Sequence, residues 1–454
     1  MTKPIDIGPL LEARRSSLYT KFLVALTALA VVFDGADIQL LAVAIPALMK
    51  DWGLPRSAFA NVVAAGLVGM MIGGALAGMV GDRLGRKTAL LLSVLTFAAA
   101  TLGMAAAQGL VSLGALRFLA GIGLGGAMPN AAALVAELVP RHQRTRAVIL
   151  TIVCVPIGGM ATGFLAGIIL PAFGWRWLFV LGGLVPLACL IVQYFFLAES
   201  PRFLARHPAR WPELVSFLRR LGHEIVSGSS FADSTERNVA RASVGALFTA
   251  DFRRDTVALW IAFCACMLAV YAGFNWIPAL LTGAGWPVAV ASSGILYFNL
   301  GGVAGAVAAS FVISRFGSKP IMLGMAFASV VSALVLARLT INAEASRFPV
   351  LAMLALAGGL INAVMVATYA LAAHVYPTAV RATGVGAAVS VGRIGAVLSA
   401  GVGSWMLDRG GYPGFFSMMA GAMVACLLSL AMIRRHIQRA SLETLSPIQS
   451  AATS

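Results

Sequence analysis

Two carboxylates lie in the middle of an apolar stretch near the start of the chain. Asp34 and Asp37 fall within residues 22–49, a run that is otherwise almost wholly apolar and long enough to cross a bilayer. Placing a carboxylate at such a depth costs about 2.5–3.5 kcal/mol, so it usually serves a function. Their i, i+3 spacing puts both on one helical face. We expect a proton or substrate site; the alternative is that the acids only hold neighbouring helices together.

An arginine in the second half of the chain lies at a matching depth. Asp34 is roughly 18 Å from the start of its apolar run, and Arg393 is roughly 15 Å from the start of the run at 383–406. In a hydrocarbon core ~30 Å thick, both lie near the midplane. A guanidinium can bind a carboxylate through two parallel hydrogen bonds, so we expect Arg393 to bind an acidic substrate. The alternative is an ion pair with Asp34 or Asp37 that only locks the two halves together.

The two aspartates cannot easily accept a carboxylate beside them while both are ionised. Burial disfavours the charged form and each carboxylate repels the other, so we expect at least one to hold a proton. Protonation would then allow the acid to bind at Arg393, and only the doubly loaded or empty carrier would change conformation. Arg117 is a candidate substrate ligand or counter-ion of the ionised aspartate; a structural partnership with the first run is the alternative. The position favours Asp34 facing the substrate, and the sequence leaves the proton carrier open.

The composition is that of a polytopic membrane protein. Of 454 residues, 60% are hydrophobic and 11% are charged, whereas soluble domains have roughly 25% charged residues. The net charge of +16 does not indicate nucleic acid, because the basic residues lie at the ends of apolar runs and not on one face. The five cysteines all lie in apolar segments, so we expect packing thiols and no metal site. No ATP-binding lysine loop is present, and we expect no cofactor beyond protons.

Apolar runs of spanning length flank a polar stretch at 199–255, six on each side. They lie at about 22–49, 58–80, 88–107, 113–139, 147–170, 177–197, 256–281, 288–313, 320–340, 349–376, 383–406 and 414–433. We therefore expect an all-α membrane protein with twelve transmembrane helices in two six-helix pseudo-repeats. The predicted divisions are a cytoplasmic tail at 1–21, a bundle at 22–197, a central cytoplasmic loop at 198–255, a bundle at 256–433 and a cytoplasmic tail at 434–454.

The distribution of basic residues predicts the orientation. With the N-terminus inside, 25 Lys and Arg residues lie on the cytoplasmic side, six lie outside and two lie within spans. The positive-inside rule therefore places both termini in the cytoplasm. We expect a multi-pass protein of the inner (plasma) membrane and a monomer embedded in lipid.

The two halves carry related motifs at matching positions. The segment 81–87, after the second run, has a degraded copy at 313–319 after the eighth. After the fourth run, Glu137 lies three residues before a proline and Arg144 lies four residues after it. After the tenth run, His374 and Arg381 have the same spacing from a proline. Such internal repeats are typical of secondary transporters.

The loop after the second run resembles the signature of the major facilitator superfamily, in which two bundles of six helices form a transporter. The residues that carry this resemblance are Gly78-x-x-Gly81-Asp82-Arg83-x-Gly85-Arg86-Lys87, with Arg117-Phe118-Leu119-Ala120-Gly121, Gly174-Trp175-Arg176-Trp177 and Glu199-Ser200-Pro201-Arg202 in support. Ser314 replaces an acid in the second copy of the loop, which departs from the superfamily pattern.

Within that superfamily, the first span is similar to the aromatic acid/proton symporters. Its Asp34-Gly35-Ala36-Asp37 resembles the Asp-Gly-x-Asp mark of that group. Four further segments are similar: Ala127-Met128-Pro129-Asn130, Asn275-Trp276-Ile277-Pro278, Tyr376-Pro377-Thr378-Ala379-Val380-Arg381-Ala382-Thr383-Gly384 and Gly392-Arg393-Ile394-Gly395. The resemblance implies import of benzoate-like, hydroxybenzoate-like or hydroxyphenylpropionate-like acids together with protons.

An aromatic acid also needs a flat apolar slot. Candidates to line it lie in the seventh and eighth spans and are Tyr271, Phe274, Asn275, Trp276, Tyr297 and Asn299. Either asparagine could hold a ring hydroxyl. The alternative is that the aromatic residues only pack helices or anchor the interface.

Charges at the cytoplasmic ends of the spans predict a gate. Such groups can pair with the opposing half, or with a helix terminus, in one conformation and separate in the other. The predicted gate residues are Gly78, Asp82, Arg83, Gly85, Arg86, Glu137, Arg144, His374 and Arg381. The alternative is simple positive-inside anchoring, which accounts for the arginines but not for Asp82. A role for His374 in proton transfer is a further possibility, given its unperturbed pKa of ~6.5.

The leading hypothesis is a secondary transporter, not an enzyme, that imports aromatic carboxylates by proton symport through alternating access. Alternatives are a proton-coupled antiporter that exports drugs or metabolites, a symporter of non-aromatic organic acids, and a membrane sensor. The antiporter pattern in the fifth span is only partly met, because Val155 stands where a glycine would precede Pro156. A sensor would need an extra soluble domain, for which the polar stretch at 199–255 is short.

Overall fold

Helices make up nearly all of the structure. The computed structural model describes residues 5–12, 17–223, 225, 230–232, 244–249, 252–344, 346–376 and 380–437. The N-terminal half contains α1 (Ile7–Glu12), α2 (Leu18–Trp52), α3 (Arg56–Leu84), α4 (Arg86–Met104), α5 (Leu110–Leu138) and α6 (Arg141–Phe196). Two short helices follow, α7 (Pro201–Ala205) and α8 (Trp211–Arg220). The C-terminal half contains α9 (Arg253–Gly283), α10 (Val288–Ala291), α11 (Ser293–Phe316), α12 (Ser318–Arg338), α13 (Arg347–Val375) and α14 (Arg381–Met432).

Ten helices in the described part of the chain are long and apolar enough to cross a membrane. Two of them, α6 with 56 residues and α14 with 52, are far longer than the ~20 residues that a bilayer requires. Each leaves helical geometry once, at Gly174 (φ 80°, ψ 178°) and at Gly411 (φ 59°, ψ −156°). Glycine tolerates these positive φ values because it has no Cβ. Both glycines fall between runs that the sequence predicts as separate spans.

The burial pattern fits helices surrounded by lipid. α2 and α9 are the most enclosed of the spanning helices, whereas α6 and α11 are the least enclosed. Large apolar side chains such as Phe164, Phe195 and Phe311 are more than half exposed. Helices that are apolar all round, and that still expose such side chains, are expected where hydrocarbon is the solvent.

α2 and α6 approach each other closely at the centre of the N-terminal half. A Cβ atom on Gly158 of α6 would overlap the Val32 carbonyl oxygen and lie 2.6 Å from the Ala36 nitrogen of α2. Thr162, one turn further along α6, donates to the Ala36 carbonyl oxygen at 3.0 Å. Small residues permit such contacts between membrane helices. This contact holds the aspartate-bearing segment of α2 in place.

Both tails have described contacts with the rest of the protein. Strand β1 (Ile5–Asp6) pairs in parallel with β2 (Phe231–Ala232) of the central loop, a small departure from the predicted all-α class. After α14, the Arg434 N–H donates to Asp255 Oδ1 at 2.9 Å. Ile437 exchanges two hydrogen bonds with Ser318 at the start of α12. Residues 5–6 of the N-terminal tail thus pair with the central loop, and residues 434–437 after α14 contact the C-terminal half.

Candidate functional site

Asp37 is held in a buried network of three helices. It is 1% exposed, and its Oδ1 accepts a hydrogen bond of 2.7 Å from Thr101 of α4. Its Oδ2 lies 3.3 Å from NH1 of Arg117 on α5. Arg117 also donates to the main-chain oxygens of Asp37 and Ile38, at 3.1 and 2.9 Å. Both oxygens of Asp37 therefore have partners, and the predicted counter-ion role of Arg117 fits this geometry better than a substrate contact does.

Asp34 has the opposite environment. It is 2% exposed, and its Oδ1 has no hydrogen-bond partner among the residues that the structure describes. Asp37 on the same helix and Arg393 on α14 are close enough to interact with it electrostatically. An unpartnered buried carboxylate oxygen is costly, and it is a natural place for a proton or a ligand.

Arg393 reaches from the C-terminal half to the N-terminal half. Its NH1 donates to the main-chain oxygen of Met70 on α3 at 2.7 Å. A Cβ on Gly74 would lie 3.3 Å from the guanidinium carbon, so the glycine leaves room for the group. Within the described residues, Arg393 forms no ion pair with Asp34 or Asp37 within 4.0 Å. The alternative of an ion-pair lock between the halves is therefore not what this conformation contains.

Two tyrosines belong to the same neighbourhood. Tyr271 of α9, a predicted slot residue, interacts electrostatically with both Arg393 and Asp34. Tyr369 of α13 interacts with Tyr271 and Arg393, and its ring packs edge-on against Phe263 at 5.0 Å. Sequence reasoning did not single out Tyr369. Its signal was weak, since it was one more polar aromatic residue within an apolar run.

Asn299, a predicted substrate ligand, is hydrogen-bonded to another side chain of the protein. Its Nδ2 donates to Oε1 of Gln39 at 2.7 Å, and the Gln39 Nε2 donates back at 3.1 Å. A Cβ on Gly159 would meet the Gln39 amide, so that glycine makes room for it. This amide pair, Gln39–Asn299, joins α2 to α11 across the two halves. Gln39 was missed because a single glutamine in an apolar run has no motif around it.

Three of the remaining predicted slot residues are buried, and the fourth lies at the surface. Asn275 is 5% exposed, and its Nδ2 lacks a hydrogen-bond partner in the described part of the chain. Trp276 is fully buried against α14, where its indole N–H donates to the Ser399 carbonyl at 3.1 Å. Phe274 packs edge-on against Phe298 at 5.8 Å. Tyr297 is 38% exposed, so the structure places its ring at the surface and not in a slot.

An arginine at the start of α3 joins the two halves at one end of the molecule. NH2 of Arg56 donates to the Ala279 carbonyl of α9 at 3.3 Å, and its NH1 lies 3.8 Å from Asp408 of α14. Near the same end, Gly163 of α6 lies against Ile295 of α11 and against Ser292, which joins α10 to α11. These contacts close the space between the halves on this side.

The predicted gate residues of the N-terminal half form a cluster at the opposite end. Arg86 pairs with Asp82 at 2.5 Å and lies 3.7 Å from Glu137. Glu137 accepts a hydrogen bond from the Ser200 hydroxyl. Glu199, which sequence reasoning did not assign to the gate, accepts from the Lys87 N–H at 2.8 Å. Among the described residues, the contacts of this cluster stay within the N-terminal half and the loop that follows it, because the partners come from α3, α4, α5 and residues 199–200.

The other predicted gate residues are less constrained. Gly85 lies between α3 and α4 with φ 99°, a value that favours glycine. Gly78 has open space where a Cβ would be, and Arg83 is exposed. Arg144 is half-buried and interacts with a neighbouring group. The side chain of Arg381 lies outside the described part of the chain. His374 is exposed at the end of α13, and within the described residues it has no hydrogen bond or ion pair, so the structure does not join it to Glu137.

Comparison with known proteins gives consistent matches along the chain. Residues 27–337 and 296–453 match the family described as Major Facilitator Superfamily. The chain is 34% identical over 429 residues to the gallate transporter of Pseudomonas putida, covering 94% of each chain. It is 35% identical to the 4-hydroxybenzoate transporter PcaK of Acinetobacter baylyi, covering 89% of each. The inward-open xylose transporter XylE from E. coli superposes with a TM-score of 0.73 at 18% identity, over 94% of this chain and 99% of that one.

Proposed function

The chain belongs to the major facilitator superfamily, a family of membrane transporters, and we propose that it imports hydroxybenzoate-like aromatic carboxylic acids by proton symport. One observation carries the proposal. The Asp34 carboxylate is buried, and its Oδ1 has no hydrogen-bond partner among the described residues. It lies within electrostatic range of Arg393, which forms no ion pair with a described residue. A negative substrate and a proton can therefore be bound side by side.

Arg393 is the proposed ligand of the substrate carboxylate. A guanidinium has five N–H groups, and the described contact with Met70 uses NH1 only. The remaining N–H groups can bind a carboxylate in a planar, two-point arrangement. The aromatic class of the substrate is supported by the gallate and 4-hydroxybenzoate relatives. It is also supported by the rings of Tyr271 and Tyr369 near the guanidinium.

Asp34 is the proposed proton carrier, and Asp37 is the proposed permanent anion. Asp37 has Arg117 and Thr101 as partners, which favour its ionised form. Asp34 has neither a hydrogen bond to Oδ1 within the described residues nor a bonded cation, and a buried unpaired charge is costly. A proton on Asp34 removes its repulsion of the incoming carboxylate, so proton and acid bind together. Release of either one on the cytoplasmic side favours release of the other.

We propose the following arrangement for transport. The helices α6 and α14 each cross the membrane twice, turning at Gly174 and Gly411, which gives twelve spans in two bundles at 22–197 and 256–433. Both termini and the loop at 198–255 are cytoplasmic, in the inner membrane, and the carrier works as a monomer. The site alternates between the two sides as one bundle rocks against the other.

Uptake by purified protein in vesicles tests the proposal. When the pH is lower outside the vesicles than inside, the wild type is expected to accumulate labelled 4-hydroxybenzoate. Asp34→Asn is expected to lose accumulation and to retain exchange of labelled for unlabelled 4-hydroxybenzoate. The matched control is Glu213→Gln, which removes a carboxylate that is paired with Arg210 at the protein surface, and which is expected to accumulate the acid normally. Full accumulation by Asp34→Asn would contradict the proposed proton carrier. Accumulation by the wild type only with the reversed gradient would indicate antiport instead.

A further inference from the structure

We propose that Asn275 recognises a hydroxyl group on the substrate ring, so that the carrier prefers ring-hydroxylated acids to unsubstituted ones. The proposal rests on the proposed function, since it orients the same acid whose carboxylate Arg393 binds. It rests on three points: the Asn275 Nδ2 has no partner in the described structure, Asn275 lies on the face of α9 that carries Tyr271, and it lies one helical turn along α9 from Tyr271.

The Asn275 side chain is buried, and its amide nitrogen is not used by the described part of the protein. It is 5% exposed, and its Nδ2 has no hydrogen-bond partner among the described residues. Buried amide groups in folded proteins nearly always have partners, so one that lacks a partner needs an explanation. By contrast, the amide of Asn299 is bonded to both Gln39 and the Ile295 carbonyl. Of the two asparagines considered for a ring hydroxyl, only Asn275 has an unused N–H group in the described structure.

The positions of its neighbours on α9 show which way Asn275 faces. Gly273 and Ile277 of α9 contact α11, through Phe298 and Gly294 respectively. Tyr271, Asn275 and Ala279 follow one another at i, i+4 steps, and so form a row on a different face of the helix. The row begins at Tyr271, beside Asp34 and Arg393, and ends at Ala279, whose carbonyl accepts from Arg56 of α3. Asn275, between the two, therefore faces the N-terminal half and the space between the halves.

The height of Asn275 fits a ring substituent opposite the carboxylate. It lies one helical turn from Tyr271 toward the Gly283 end of α9, which is about 6 Å along the helix axis. With the carboxylate on Arg393 and the ring beside Tyr271, a substituent on the far side of the ring points toward this turn. An amide can donate to a hydroxyl oxygen and accept from its hydrogen, and so suits a phenolic group. Unsubstituted benzoate would leave the buried amide without a partner.

Comparing the uptake of two acids, one with and one without a ring hydroxyl, tests the inference. Uptake of labelled 4-hydroxybenzoate and of labelled benzoate is measured in the same vesicles, and the ratio of their kcat/KM values is compared between wild type and Asn275→Leu. Loss of one hydrogen bond is expected to lower the hydroxybenzoate-to-benzoate ratio about tenfold. Asn275→Ser, which keeps a hydrogen-bonding group, is expected to give an intermediate ratio. The matched control is Asn362→Leu, whose amide is bonded to the Gly358 carbonyl of its own helix and whose ratio is expected to equal that of the wild type.

The outcomes separate this inference from the proposed function. An unchanged ratio in Asn275→Leu, or an equal change in Asn362→Leu, overturns the role of Asn275 while uptake of both acids still supports the transporter. Loss of both acids in Asn275→Leu and Asn275→Ser alike also overturns it, because the residue then serves the structure. Absence of any aromatic acid uptake by the wild type overturns the proposed function itself.

Discussion

At the scale of residues, two aspartates three positions apart have different surroundings. Asp37 is bound by Arg117 and Thr101, whereas Asp34 faces Arg393 without a hydrogen bond to its Oδ1 in the described structure. A buried ion pair such as Asp37–Arg117 is fixed in place because loss of either partner leaves a charge in a dry interior. The proposed site thus combines a fixed charge pair with a carboxylate that is able to change protonation.

The fixed pair can be tested by removing one partner and then both. Arg117→Met leaves Asp37 buried without its cation and is expected to destabilise the protein by about 3–5 kcal/mol. The double variant Asp37→Leu/Arg117→Met removes both charges and is expected to recover much of that loss. Thermal unfolding of the detergent-solubilised variants measures the effect. Single variants as stable as the wild type would show that the pair has no structural role.

At the scale of elements, close helix contacts position the site. α2 carries Asp34 among Val32, Gly35 and Ala36, the three residues whose backbones meet Gly158 of α6. The Thr162 hydroxyl adds a hydrogen bond one turn away. Because apolar side chains gain little from leaving lipid, such contacts between membrane helices depend on close packing and not on hydrophobicity. A change in this contact is therefore expected to shift Asp34.

Two glycine-to-alanine substitutions distinguish packing from helix propensity. Gly158→Ala places a Cβ against the α2 backbone and is expected to cost about 1–3 kcal/mol and to reduce uptake. Gly401→Ala, in α14, has open space for its Cβ and is expected to be neutral or to stabilise by up to about 1 kcal/mol. Melting temperature and initial uptake rate are the measurements. Equal effects of the two substitutions would rule out the proposed role of the α2–α6 contact.

At the scale of the whole molecule, the described hydrogen bonds between the halves lie from the middle toward one end. They involve Arg393 with Met70, Gln39 with Asn299, and Arg56 with Ala279. At the other end, the charged cluster around Arg86 has its described partners within the N-terminal half and the loop after it. With the predicted orientation, this conformation is closed to the outside. The Gln39–Asn299 pair stabilises it, because the pair can exist only while α2 and α11 are close.

Breaking that pair is expected to shift the carrier toward an outward-open form. Asn299→Leu leaves the Gln39 amide buried and unpartnered, at a cost of about 1–3 kcal/mol to the closed form, or about 5–150-fold in population. Spin labels at Gln108 and Glu344, in exposed loops at the outer end, are expected to report longer distances. The control Asn362→Leu removes an amide bonded within its own helix, to Gly358, and should leave the distances unchanged. An unaltered distance distribution in Asn299→Leu would exclude the proposed role of the pair.

The sequence by itself determined the class of protein and indicated the charged residues of the proposed site. The apolar runs correspond to the ten long helices, with the glycines at 174 and 411 inside the two longest, because length and hydropathy are local properties. The cost of a charge in an apolar run likewise identified Asp34, Asp37, Arg117 and Arg393. The motifs identified the superfamily, which the comparisons confirm.

Only the tertiary structure decided how those residues are partnered. Thr101 and Arg117 reach Asp37 from two other helices, and Tyr369 reaches the site from a third. The same packing commits Asn299 to Gln39 and leaves the Asn275 Nδ2 without a partner in the described structure. These assignments depend on how each helix is rotated about its axis and which neighbour it meets. Hydropathy does not fix that rotation in a helix that is apolar on every side, so the packing of all the helices together determines it.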